Sequence, residues 1–128
     1  MTTHNNHEDL ISGLVEQQKE IFNSSDQAMY IFLDDNNRAC NEKFAKLLGY
    51  SSADEWRKTD TKGAFPTVFV DEKSQHALVS TYQKAMTKMV ASKVNITWKK
   101  KSGGTVDTTV ILVPIAYQGH PFALHFVS

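Results

Sequence analysis

One cysteine in 128 residues, Cys40, removes two architectures at once. It leaves no internal disulfide and no zinc site built from several thiolates. Charge of one sign is also missing, since Lys plus Arg and Asp plus Glu number 14 each. A neutral chain lacks the basic footprint of a nucleic-acid binder, and Lys99-Lys100-Lys101 reads as a solvated hairpin end. No apolar run approaches the ~20 residues that span a bilayer. The first twenty residues lack the apolar core of a secretory signal, so neither membrane nor export is expected and the cytoplasm is. What remains is ordinary for one globular core, with 41% apolar and 22% charged residues.

Residues 1–7 are polar and read as a frayed tail. From Glu8 to Phe22 apolar residues recur at Leu10, Ile11, Leu14, Val15, Ile21 and Phe22, the spacing of a helix that Gly13 weakens. Asn23 to Asp26 reads as a stop. Ala28 to Leu33 is an apolar strand, turned by Asp34-Asp35-Asn36-Asn37 into a short partner, Arg38-Ala39-Cys40. Asn41 is placed to cap a helix carrying Phe44, Ala45, Leu47 and Leu48 that closes at Gly49. Ser51 or Ser52 caps a further short helix through Trp56. Gly63 and Pro66 mark loop or short helical turns. Asp71 opens the strongest helix, with Leu78, Tyr82, Ala85, Met86, Met89 and Val90 on one face. Three strands follow, turned at Ser102-Gly103-Gly104 and Gln118-Gly119-His120. Strands grouped apart from helices indicate an α+β fold with an antiparallel sheet.

The run Asn41-Glu-Lys-Phe44-Ala-Lys-Leu-Leu-Gly49-Tyr50 after a strand ending in Asp34, the Lys100-Lys101-Ser102-Gly103 hairpin, and the closing Phe122-Ala-Leu-His-Phe126-Val together resemble the PAS family over residues 23 to 128. Phe69-Val70-Asp71-Glu72 departs from the His-Pro-x-Asp-like turn that many members carry before the long helix. The resemblance implies a five-stranded antiparallel sheet of order 2-1-5-4-3, with helices on one face. Residues 1–22 would form a polar tail and flanking amphipathic helix, and 23–128 the PAS core. It also implies a sensory signalling module, a homodimer through the leading helix, and an output partner or effector domain outside this chain.

In that arrangement the helix-facing set is expected to be Met29, Ile31, Leu33, Val94, Ile96, Trp98, Val110, Leu112, Phe122, Leu124 and Phe126. Tyr30, Phe32, Ile111, Val113 and Val127 would face the other way. A sheet with one wet face should be polar there, so the helix carrying Leu14, Ile21 and Phe22 is expected to cover that patch, from its own chain or a partner's. Cys40, Phe44, Leu48, Tyr82, Met86, Ile96, Trp98, Leu112 and Leu124 are the expected contacts of a small apolar or aromatic ligand, while the residues name no cofactor.

Cys40 lies outside the reactive-cysteine motif of the family's flavin-binding light sensors, and a small buried apolar role suits it. His76 is the candidate haem ligand, but at 100° per residue it points roughly 130° away from the inner stripe. His4 and His7 are too few to hold a metal. His125, alternating with Leu124 and Phe126, is expected on the outer face. No paired carboxylates, Ser/His/Asp set or phosphate-binding glycine loop is evident, so no catalytic residue and no metal site is expected. Two rival readings are a ligand-free interaction module and a small pocket enzyme.

Overall fold

The computed structural model describes residues 6–34 and 36–128. The expected frayed tail up to Asn5, including His4, and Asp35 of the first turn lie outside them. Along the chain run α1 (Asn6–Gln17), α2 (Lys19–Ser24), β1 (Ala28–Asp34), β2 (Asn37–Cys40), α3 (Glu42–Leu47), α4 (Ala53–Lys58), α5 (Phe65–Phe69), α6 (Glu72–Lys88), β3 (Ser92–Lys99), β4 (Thr105–Tyr117) and β5 (His120–Val127). The strands form one antiparallel sheet in the order β2-β1-β5-β4-β3, as the α+β expectation had it.

Local chemistry sets the helix ends. The Asn41 side chain accepts from the Phe44 amide at 3.0 Å and the Met29 amide at 3.1 Å, and donates to the Gln27 carbonyl at 2.9 Å. One side chain therefore caps α3 and ties it to β1. Gly49, at φ 86°, ends that helix in the left-handed region where glycine has no side chain to clash. Ser52 caps α4 through the Glu55 amide. Pro66 sits in the first turn of α5, where its missing N–H costs nothing. Asp71 caps α6. The start of α6 is clamped to β3, because Ser74 Oγ accepts from the Thr97 amide and the Asp71 amide donates to the Thr97 carbonyl, both at 2.9 Å. This holds the long helix against the sheet. Its C-terminal Met89 and Val90 are exposed rather than on the inner stripe, because Met89 leaves the helix at φ 53°.

Two hydrophobic clusters lie on opposite faces of the sheet. The inner one, under α3 to α6, holds Tyr30, Cys40, Ile96, Trp98, Val110, Leu112 and Val127, with Phe32 and Val94 packed against it. The outer one, under α1, holds Met29, Ile31, Ala39 and Phe122, with Leu33, Leu124 and Phe126 beside them. The expected faces are thus right for β3 and β4 and inverted for β1 and β5. Met29, Ile31, Leu33, Phe122, Leu124 and Phe126 face outward; Tyr30, Phe32 and Val127 face inward.

Both inversions are one-residue register effects. Asp34 pairs with Asn37 at the first turn, and an unbroken ladder from there would set Ile31 opposite Cys40. A bulge between Phe32 and Asp34 shifts the register so that Tyr30 is opposite Cys40. At the second turn Tyr117 pairs with His120, leaving Gln118 and Gly119 as a two-residue loop with φ of 51° and 80°. Positive φ at both positions marks a type I′ turn. The expected three-residue turn would have set Leu112 opposite Phe126; the actual turn sets it opposite His125.

The outer face around β1 and β5 is covered by the chain's own leading helix, while Ile111 on β4, expected beneath that helix, is 40% exposed. Leu10, Ile11 and Leu14 of α1 are buried, as is Phe22 of α2, whereas Ile21 is 51% exposed. Each buried aliphatic side chain stabilises the docked helix by up to about 1.5–3 kcal/mol. Gly13 lets α1 come close, since a Cβ there would lie 2.5 Å from the Tyr117 hydroxyl. Replacing a helical glycine with alanine ordinarily gains about 1 kcal/mol. Here Gly13→Ala is expected to forfeit that gain in the native background and to recover it alongside Tyr117→Phe. A double-mutant cycle by chemical denaturation measures the difference, and additive effects would mean that α1 and Tyr117 are not in contact.

Candidate functional site

The inner cluster is an aromatic lattice. Tyr30 lies 4.8 Å from Phe44, 5.8 Å from Trp56, 5.9 Å from Phe65 and 5.6 Å from Trp98 by ring centroids. Phe69 extends the stack at 5.3 Å from Trp56 and 5.0 Å from Phe65. Trp98 Nε1 donates to Thr108 Oγ1 at 2.8 Å, and that hydroxyl donates to the Ile96 carbonyl at 2.9 Å. Arg38 is buried beside these rings, its guanidinium carbon 5.1 Å from the centroids of both Trp56 and Phe69. It donates to the carbonyls of Trp56 at 3.1 Å and Thr59 at 2.7 Å. Ring faces and carbonyls together accommodate a cation away from water.

This lattice occupies the space where the ligand was expected. Cys40, Phe44, Leu48, Ile96, Trp98 and Leu112 are all buried in it. Leu124 is on the outer face, because the I′ turn fixes the phase of β5. Tyr82 and Met86 are half-buried on α6. Burial pushes the Cys40 thiol far up, aided by the charge of Glu42, so it is not a nucleophile.

An open cavity of about 210 Å³ remains to one side, between α5, α6 and strands β1 and β5. Tyr30, Phe32, Phe65, Leu78, Tyr82 and His125 line it, with Pro66, Val79 and Gln83. Of the nine expected ligand contacts only Tyr82 is among them. Only Leu124 was lost to strand phase; Cys40, Phe44, Leu48, Ile96, Trp98 and Leu112 lie on the inner side but are packed within the lattice, and Met86 lies outside the lining. Pairing Cys40 with Tyr30 across the first hairpin was the signal that would have turned Tyr30 and Phe32 inward.

His125 is the largest departure from expectation. It is 2% exposed and lies directly across from Tyr30 on the neighbouring strand. The two rings stack at 3.9 Å with 10° between planes, and Nδ1 lies 3.1 Å from the Ala123 carbonyl. Burial lowers its pKa to about 3, outweighing the opposite pull of the Ala123 and Tyr30 backbones. The imidazole is neutral at physiological pH. His76 is exposed on α6, and His7 bonds Asp34 at 2.8 Å. Among the described residues no three His, Cys, Asp or Glu side chains group as a metal site would need, and no helix is long and apolar enough to cross a membrane.

A PAS domain model matches residues 16–79, half of the chain. The chain belongs to the PAS domain family. Solved PAS structures share its fold at low identity. A PAS domain from a two-component sensor histidine kinase is 16% identical with a TM-score of 0.63, the match covering 91% of this chain and 97% of that one. The PAS domain of an HTR-like protein from Haloarcula marismortui is 15% identical with a TM-score of 0.63, covering 98% of each. The LOV protein of Rhodobacter sphaeroides is 13% identical with a TM-score of 0.64, covering 91% of this chain and 67% of that one. No curated protein sequence matches the chain. PAS domains are in general sensory rather than catalytic modules, and this one has the family's sheet order.

A buried neutral imidazole makes stability depend on pH with a definite sign. The unfolded chain takes up a proton at this residue near pH 6.5, and the folded chain only near pH 3. Stability is therefore whole above about 6.5 and is lost as pH falls toward 3, by on the order of 5 kcal/mol if this residue acts alone. Denaturant melts across that window are expected to show the decline, and His125→Phe to flatten it. A decline unchanged in the variant would assign it to other groups.

Proposed function

We propose that this PAS domain is a non-catalytic sensory input module whose cue is a small, neutral, apolar molecule held in the cleft between α6 and strands β1 and β5. The observation that carries the reading is the cleft itself, the apolar hollow that the aromatic lattice leaves unfilled. At about 210 Å³ it is smaller than a drug-sized site and larger than an apolar cavity of ~150 Å³ that takes up benzene. A flavin or haem exceeds it.

Relay follows from strand alternation. Tyr30, Phe32 and His125 wall the cleft, while Met29, Ile31, Leu124 and Phe126 on the same two strands support α1. A ligand that favours one spacing of α6 from β1 and β5 shifts the seat of α1 by the difference in its affinity for the two arrangements. The signal would leave through α1 to an effector outside these residues. Toluene titrated into the labelled protein is expected to move amide resonances at Phe32, Phe65, Leu78 and Tyr82, with smaller shifts at Met29 and Ile31. An unchanged spectrum at the solubility limit of toluene would remove the reading.

A second reading, a ligand-free dimerisation module, is favoured by large apolar residues left in water, among them Ile21 at 51% and Ile111 at 40% exposure. It expects a dimer that persists without any small molecule. Sizing the full chain beside a chain lacking residues 1–22 tests it, since dimerisation through the leading helix is expected to disappear on deletion.

A further inference from the structure

β5 presents Ala123, His125 and Val127 to the inner side of the sheet, and all three are buried. The other groups directly across from His125 on that face are Tyr30 and Leu112. An imidazole among such neighbours is costly unless its nitrogens are used. Nδ1 lies 3.1 Å from the Ala123 carbonyl. A carbonyl oxygen only accepts, so Nδ1 holds the ring's one proton and Nε2 keeps a lone pair. Nε2 is the ring nitrogen remote from the main chain, His125 lines the cavity, and its side-chain hydrogen bond among the described residues is made by Nδ1. Stacking on Tyr30 fixes the plane of the ring. On the same wall the Tyr30 hydroxyl is enclosed without a hydrogen-bond partner among the described residues.

The wall of the cleft thus combines four aromatic rings, Tyr30, Phe32, Phe65 and Tyr82, with a neutral imidazole acceptor. Among the described residues no Lys, Arg, Asp or Glu side chain lines it, so a charged ligand would give up its hydration without compensation. We propose that the cleft selects a small neutral arene bearing one O–H or N–H group, such as a phenol or an indole, which donates that hydrogen to Nε2 of His125. This rests on the preceding reading that the cleft is the sensory pocket, and it adds the ligand's chemical class and the residue that recognises it.

Phenol and toluene differ by a hydroxyl in place of a methyl and so separate shape from hydrogen bonding. Both are titrated into the full chain and into His125→Phe, followed by amide shifts, with the Nε2 resonance of ring-labelled native protein read in parallel. Expected is an Nε2 shift with phenol and none with toluene. In His125→Phe, phenol is expected to lose about three- to tenfold more affinity than toluene does, the net worth of one neutral hydrogen bond. If the variant does not fold, the Nε2 resonance of the native protein decides alone. Toluene binding with Nε2 unmoved by phenol overturns the inference and leaves the pocket standing; neither compound binding overturns both.

Discussion

Strands β1 and β5, the middle of this sheet, are apolar on both faces, and the rest of the molecule depends on how that ambiguity is resolved. Ordinary amphipathic strands declare their inner face by composition, because one register buries apolar side chains and the other buries polar ones. Here either phase would bury grease. The choice falls to two short stretches of backbone: the bulge before Asp34 and the Gln118-Gly119 turn. Together they bring Tyr30 and His125 face to face indoors and send Met29, Ile31, Leu124 and Phe126 out to meet α1.

This constraint explains what was legible in the sequence. Element order, the caps at Asn41, at Ser51 or Ser52 and at Asp71, and the stop at Gly49 were readable because each is written in local chemistry, whereas the sheet order came from the family resemblance. The faces of β3 and β4 were readable because Val94, Ile96 and Trp98 alternate with Lys93, Asn95 and Thr97. The faces of β1 and β5 were not, since a bulge has no composition of its own and one residue more in a turn exchanges the sides. His125 was placed on the outer face for the same reason. The helical periodicity of α6 correctly brought Leu78 and Tyr82 inward but ran on past the helix, to Met89 and Val90.

The interior differs in kind from the greasy hollow that the sequence suggested. Interlocked rings of Tyr30, Phe44, Trp56, Phe65 and Trp98 fill most of it at ring distances of 4.8–6.4 Å. Edge-to-face rings resist rearrangement more than a core of flexible methionines does. The open space is displaced toward α6, an element hydrogen-bonded to β3 through its first turn and packed on the inner cluster through Leu78 and Ala85. The unfilled space therefore lies at the margin of the aromatic body rather than within it.

The clamp between α6 and Thr97 has one more effect. A strand at the border of a sheet offers a row of amides and carbonyls to which another chain can zip, the usual start of aggregation. β3 is such a border. At Thr97 both main-chain groups are taken by Ser74 and Asp71, and Val70 forms a bridge to Trp98. Lys93 and Lys99 stand on either side, their ammonium groups repelling a like neighbour. The contact that anchors the long helix also blocks this border to unwanted strands at Thr97 and Trp98.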